Sequence, residues 1–206
     1  MGIFLVCLYP STFNLEIRIE KLPKTNKLNS ENSKSTMSHL PLKKLRKQII
    51  IWLFEHSQRL YTSLFKNHES WNITKHDLLK FPKPSFGRHL GEFLDRNNFE
   101  LIPKVERHDC YHVLCGYSTE VEDEIALQCL CFGNGKRSPY LYGAVILGVA
   151  ILPDYFGYYY SSYKKGKNAN PFHHFDYKKL LNVSIVEFRE AIFSKSEALK
   201  LNITQM

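Results

Sequence analysis

Cysteine is scarce and unpaired in this chain: five residues, an odd number, with no Cys-x-x-Cys spacing. That excludes a disulfide framework and a zinc ribbon, and it points to a reducing, cytoplasmic-type compartment rather than to secretion. Long apolar runs are missing too. The most apolar stretch, Tyr140 to Leu152, makes about 20 Å of helix against a hydrocarbon core of about 30 Å, so it is a buried helix or a wall for something greasy and not a membrane span. The run Ile3 to Tyr9 has no basic residue before it and no small-residue cleavage site after it, so it reads as neither a secretory leader nor a span. No segment shows the clean alternation and hairpin turn chemistry of strands. Acidic residues are outnumbered, 20 against 28 Lys and Arg, and the balance of +8 asks for an anionic partner. Nucleic acid, a membrane surface or a phosphorylated substrate would all serve, but no nucleic-acid-binding motif is present.

What is there reads as one globular domain with a tail. A 206-residue chain with 44% hydrophobic residues has the means to build a core without staples. Residues 1–36 differ from the rest. Lys21 to Thr36 is nearly all Lys, Asn, Ser and Thr, as in a disordered tail. The sequence therefore reads as an extension over 1–36, with Met37 as the natural start and an all-α domain over 37–206.

Helical periodicity begins at Leu42, where Leu45, Ile49, Trp52, Leu53, Leu60 and Leu64 recur at three- and four-residue steps. Lys43, Lys44, Arg46 and Lys47 crowd its first turns, so the helix either lies on an anionic bilayer or packs on the core with a solvated basic end. Thr74 and Asp77 predict a capping box, and Ser85 to Leu94 a further helix. Another helix is predicted from Pro103 or Lys104 to Cys115, ended by Gly116. Thr119 with Glu122 predicts a second capping box, opening a helix to Phe132 before Gly133-Asn134-Gly135. Lys104 to Phe132 is thus expected as an antiparallel hairpin. The Tyr155 to Tyr163 block leads into an expected polar loop, Lys164 to Asn170, and then into helices over Tyr177 to Leu181 and Ile185 to Phe193.

Nine histidines are scattered through the chain, most as single residues on helical faces. His173-His174-Phe175-Asp176 is denser, but neighbouring side chains diverge. His108 and His112 are different: four residues apart, both imidazoles leave one face of a helix, the geometry by which two His grip one metal. Asp109 lies about 100° around that helix and either joins as a ligand or holds an imidazole. Across the hairpin, Glu124 sits on a partly apolar face with Val121, Leu127, Gln128 and Cys131. A carboxylate there is costly unless a cation neutralises it. Two imidazoles and two carboxylates around a dication make a neutral site, and mixed N and O donors suit zinc first, with iron, cobalt or manganese also admitted. An ordinary polar seam is the alternative reading.

His108-Asp109-Cys110-Tyr111-His112, eleven residues, then Glu124-Ile125-Ala126-Leu127 resembles the signature of the coenzyme Q biosynthesis protein 4 family: His-Asp-x-x-His, eleven residues and Glu, with His-Val-Leu and Glu-x-Ala-Leu continuing the two elements. Both continuations are present, the first as His112-Val113-Leu114. Ser85-Phe86-Gly87-Arg88 upstream and Ile185 to Phe193 downstream look like flanking family segments. Asp123 stands where the family often has Gly. The resemblance implies an all-helical protein peripheral to a membrane, with His108, Asp109, His112 and Glu124 on a divalent metal and a cavity for a polyprenyl chain. It also implies ubiquinone synthesis, both by organising other enzymes of the route and by acting at ring C1, where a carboxylate gives way to a hydroxyl.

Three functions follow as expectations. The first is a metal-dependent quinone-biosynthesis protein that binds a prenylated ring precursor. Gln128 would orient a ligand or water, and Tyr140, Leu141, Val145, Ile146, Val149 and Leu152 would line the tail cavity. The second is a non-catalytic lipid-presenting scaffold with a structural metal, working beside other biosynthetic enzymes or as a homodimer. The third is a His-Asp phosphohydrolase, which needs His76 or His89 at the same metal.

Overall fold

The computed structural model describes residues 40–65, 70–102 and 106–204. The expected extension 1–36, the run Ile3 to Tyr9, the start at Met37 and the helix start at Pro103 or Lys104 lie outside the described residues. Among those described, the helices are α1 Leu40–Phe65, α2 Lys75–Leu78, α3 Phe86–Arg96, α4 Glu106–Cys115, α5 Val121–Gly133, α6 Pro139–Ile151, α7 Phe156–Asn168, α8 Ile185–Ile192 and α9 Lys195–Thr204. Short 3-10 turns, Pro153–Tyr155 and Tyr177–Leu180, join them. The fold is all-α: no strand forms among the described residues, and a lone bridge pairs Ser85 with Ser184.

Local chemistry sets most boundaries. Thr74 and Asp77 close the predicted capping box on α2, each side chain meeting the other's backbone N–H. Ser85 caps α3 by accepting from the Arg88 N–H at 3.2 Å. Gly116 ends α4 with φ 74°, a left-handed conformation that costs glycine nothing. Ser138 caps α6 and Pro139 opens it, and α6 meets the segment after Pro153 at 100°.

The centre of the molecule is α5 lying along α7. A Cβ on Gly166 would fall 1.9 Å from the Leu130 carbonyl oxygen, and one on Gly133 would fall 2.1 Å from that of Tyr163, so the two helices touch backbone to backbone. This contact explains two departures from the sequence reading. The expected loop from Lys164 is helical through Asn168 because Gly166 is locked against α5 and Lys165 reaches both the Cys115 carbonyl and Glu197. The expected hairpin is also only partly realised: α5 packs mainly on α7 and meets α4 at few points.

The second capping box does not form. Glu120, not Thr119, precedes α5 and makes no side-chain cap. Glu122 is instead engaged by Lys47 at 2.8 Å and by the Tyr155 hydroxyl at 3.1 Å, while Asp123 accepts from the Ser118 N–H. The C-terminal helix α9 carries no strong periodic signal in the sequence. It is held by burial of Ala198 and Leu201 and by Arg189, which donates to the Leu201 carbonyl and Asn202.

α1 forms where expected but turns the other way. Ile50 is 1% exposed, whereas Leu42, Leu45, Ile49 and Trp52 face outward, Trp52 by 55%. The basic residues face the body: Lys43 sits 4.4 Å over the Tyr155 ring, Arg46 pairs with Asp154 at 2.8 Å and Lys47 with Glu122. Lys44 alone of the four is exposed. The core offered to α1 is the acidic and aromatic corner at the start of α5 and the α6–α7 bend, so cations seat there better than leucines.

A candidate metal centre

α4 supplies two imidazoles and α5 a carboxylate. His108 and His112 are one turn apart, and their rings meet edge to face at 4.7 Å. Glu124 reaches both: Oε1 lies 3.1 Å from Nε2 of His112 and Oε2 lies 3.3 Å from Nε2 of His108. One ligand atom from each of the three residues falls within 4.8 Å of the others, and all three side chains are buried. This is the only such group of His, Cys, Asp and Glu found among the described residues.

The ring orientations suit metal ligation. Nδ1 of His112 donates to the Tyr117 carbonyl at 3.2 Å, which leaves the Nε2 lone pair pointing at Glu124. Phe93 stacks on the same ring, 5.5 Å away and nearly parallel. His108 presents Nδ1 to Asp109 at 3.6 Å and Nε2 to Glu124. Asp109 therefore stands behind His108 and outside the converging group, as its place 100° around the helix dictates. Of the four expected ligands, three converge and the fourth backs one of them.

Two observations show that the donors fit a cation. His112 Nε2 and both Glu124 oxygens are buried with no hydrogen-bond partner, although Oε1 lies within ion-pair distance of His112 and Oε2 of His108. Such atoms are costly to bury unless something satisfies them. The electrostatics agree. Burial opposes charge on both partners, yet the attraction of Glu124 for the imidazoles, with Asp109 adding to it at His108, outweighs burial. Glu124 is held down at about 2, and His108 is raised to about 9. A pocket that draws positive charge onto the His108 imidazole is one a dication would occupy in its stead.

Gln128 lies one turn after Glu124, wholly buried, and neither amide atom has a partner. Four other described histidines make their contacts away from the centre. His89 turns Nδ1 to the Ser85 carbonyl of its own helix, His56 to that of Trp52, and His173 to Asn134, with the exposed His174 ring edge-on beside it. The phosphohydrolase expectation, which needs His76 or His89 at the metal, finds no support.

The cavity residues divide. Leu141 and Leu152 are core, Val145 and Val149 are half-buried against it, and Ile146 is 66% exposed. Tyr140 alone lines an apolar groove of about 150 Å³ between α1 and α6, together with Ile50, Leu53, Gly143, Ala144 and Leu147. The wall of α6 is thus the face one step round from the expected one. A wider depression of about 720 Å³, floored by Phe175, Leu180, Phe188 and Ile192, lies on α8, where no sequence signal pointed.

Residues 102–194, which contain the whole centre, match the family model described as coenzyme Q (ubiquinone) biosynthesis protein Coq4. The match takes in 93 of the 206 residues, and over that stretch the chain resembles the family. That likeness supports a role in ubiquinone biosynthesis. The fold is shared with the crystal structure of a proposed ubiquinone biosynthesis protein from Nostoc punctiforme PCC 73102, at 19% identity and a TM-score of 0.52, over 75% of this chain and 82% of that one. No individually curated protein matches the chain.

Sequence reasoning missed Tyr117 and Phe93 at the centre. Phe93 is legible only as one apolar residue of α3, and Tyr117 acts through a backbone carbonyl that no residue type announces.

Proposed function

We propose that this protein shares the role of the Coq4 family it resembles: it binds a divalent metal through His108, His112 and Glu124, with Asp109 orienting His108, and acts at C1 of a prenylated aromatic acid on the way to ubiquinone. The observation that carries this is the convergence of three buried side chains, one ligand atom of each within 4.8 Å of the others, with His112 Nε2 and both Glu124 oxygens lacking a hydrogen-bond partner. Three protein ligands leave a position open, as catalytic metal sites do and closed structural sites do not. When bound, the metal would supply Lewis acidity and a template for the ring oxygens, and N/O donors of this kind suit zinc, iron, cobalt or manganese.

The protein's own residues do the rest. Tyr117 and Asp109 hold the imidazoles, Phe93 and the α3 core keep water from the His112 side, and Glu124 carries the charge that a cation neutralises. The exchange itself is an oxidation. Ring carboxyl and water become phenol, carbon dioxide, two protons and two electrons, so an external oxidant must take the electrons.

The outward apolar face of α1, together with Tyr142, Ile146 and Leu147 of α6 and Phe156 and Tyr160 of α7, supports a peripheral membrane position. Among the described residues no single helix is long and apolar enough to cross a membrane. The groove between α1 and α6 is the size of a cavity that holds benzene, so it suits the first part of a prenyl tail rather than all of it.

A second reading, a scaffold that presents prenyl lipid to other enzymes with the metal in a structural role, draws on the near-complete burial of the ligands. Metal-loaded protein given a prenylated aromatic acid labelled in its carboxyl carbon, with oxygen present, separates the two. Labelled carbon dioxide at one per phenol formed supports catalysis. Tight lipid binding with no label released supports the scaffold.

A further inference from the structure

Gln128 sits in a place where its amide has no structural reason to be. It is 0% exposed, and both Oε1 and Nε2 are without hydrogen-bond partners. Met or Leu would fill the same space in α5 without burying a donor and an acceptor that nothing satisfies. Four residues after Glu124 in α5, it lies one turn along the same helix face as the carboxylate that meets the two imidazoles. Of the buried polar side chains in α5, Glu124 is accounted for by the metal reading; Gln128 is left over.

We infer that Gln128 is a positioning residue for whatever small oxygen ligand completes the metal's coordination: its Nε2–H donates to that oxygen, a carboxylate or phenolate oxygen when substrate is present. This rests on the proposed metal site and adds to it the group that selects an anionic oxygen at the open position. An amide suits that task because it donates without titrating and without neutralising the metal, so the ligand's affinity follows its own charge.

The test uses full-length protein, cobalt(II) as a visible-spectrum probe and acetate as the probe anion. Wild type takes up one cobalt per chain, and acetate perturbs its absorption bands. Q128M keeps one cobalt per chain but binds acetate about 10- to 100-fold more weakly, the worth of one hydrogen bond to a charged group. The same variant melts at a higher temperature when metal-free, because an unsatisfied amide has been removed. Q128E, which keeps the shape and loses the donor when ionised, also loses acetate binding and carries the test should Q128M fail to fold. Acetate affinity within twofold of wild type in the folded variants overturns the assignment, as does a lowered metal-free melting temperature in Q128M, which would reveal a structural partner. Wild type that takes up no cobalt instead overturns the metal site beneath it, a result read before any variant is made.

Discussion

Nη2 of Arg189 donates to the carbonyl of Val113 at 2.7 Å, and its Nε donates to that of Leu114 at 3.2 Å. These are the carbonyls that directly follow His112 at the end of α4, groups a helix cannot satisfy for itself. The guanidinium is 1% exposed, and burial lowers its pKa to about 10. It also binds the Leu201 carbonyl and Asn202, so one side chain of α8 ties the metal-bearing helix to α9. Arg189→Met should destabilise the protein by about 2–4 kcal/mol, since several buried carbonyls lose charged donors at once. Arg189→Lys should recover less than half of that, because an ammonium lacks the planar fork. Urea unfolding of the metal-free variants measures both, and a loss under 1 kcal/mol in Arg189→Met would show that water replaces the guanidinium.

At the centre itself, His108→Ala, His112→Ala and Glu124→Gln should each abolish stoichiometric metal. Each should also erase the gain in melting temperature that added metal gives the wild type, since binding energy here is folding energy. Asp109→Asn is the discriminating change. Standing behind His108, it should cost about 10–100-fold in affinity and still fill at saturation. His76→Ala and His174→Ala should keep their metal. Elemental analysis after dialysis decides, and metal retained by both His variants of α4 would remove the site.

Lys136 is 6% exposed, with its ammonium 4.9 Å over the Tyr111 ring and no ion pair among the described residues. Burial lowers its pKa below the ordinary 10.5, with Arg107 pushing the same way and Cys131 opposing. The unfolded chain therefore holds this proton to higher pH than the folded one. The site opposes folding most strongly at low and neutral pH, and that penalty fades as pH rises through the lowered pKa towards 10.5. Lys136→Met should raise the melting temperature at pH 7, and its advantage over wild type should shrink by pH 10. An advantage that is constant with pH would mean packing, not charge, is responsible.

The inverted α1 makes a prediction about surfaces. Trp52→Ser and Leu45→Ser should leave the melting temperature within a degree or two while weakening binding to lipid vesicles, because both side chains already face solvent. Ile50→Ala should do the reverse, costing about 2–5 kcal/mol as a buried large-to-small change with little direct effect on vesicles. Because Lys43, Arg46 and Lys47 are occupied by the body, vesicle binding should depend only weakly on salt. Co-sedimentation with neutral and anionic vesicles reads all three. A steep fall in binding with salt would put the basic residues, not the apolar face, against the membrane.

The sequence by itself determined what is decided within a turn or two of chain. The all-α class, the capping box at Thr74 and Asp77, the stop at Gly116 and the shared face of His108 and His112 all follow from local periodicity, spacing and backbone freedom. The span from His112 to Glu124 was legible because a short turn leaves two helix ends few places to go. Tertiary structure alone decided which side of α1 faces inward, that Glu122 joins Lys47 rather than capping α5, that α7 continues past Lys164, which face of α6 walls the groove, and that Asp109 backs an imidazole instead of joining the cluster. In most of these the deciding partner lies far along the chain, as with Lys47 for Glu122 or Leu130 for Gly166. Periodicity shows that a helix has two unlike faces, but which face is buried depends on the surface that meets it.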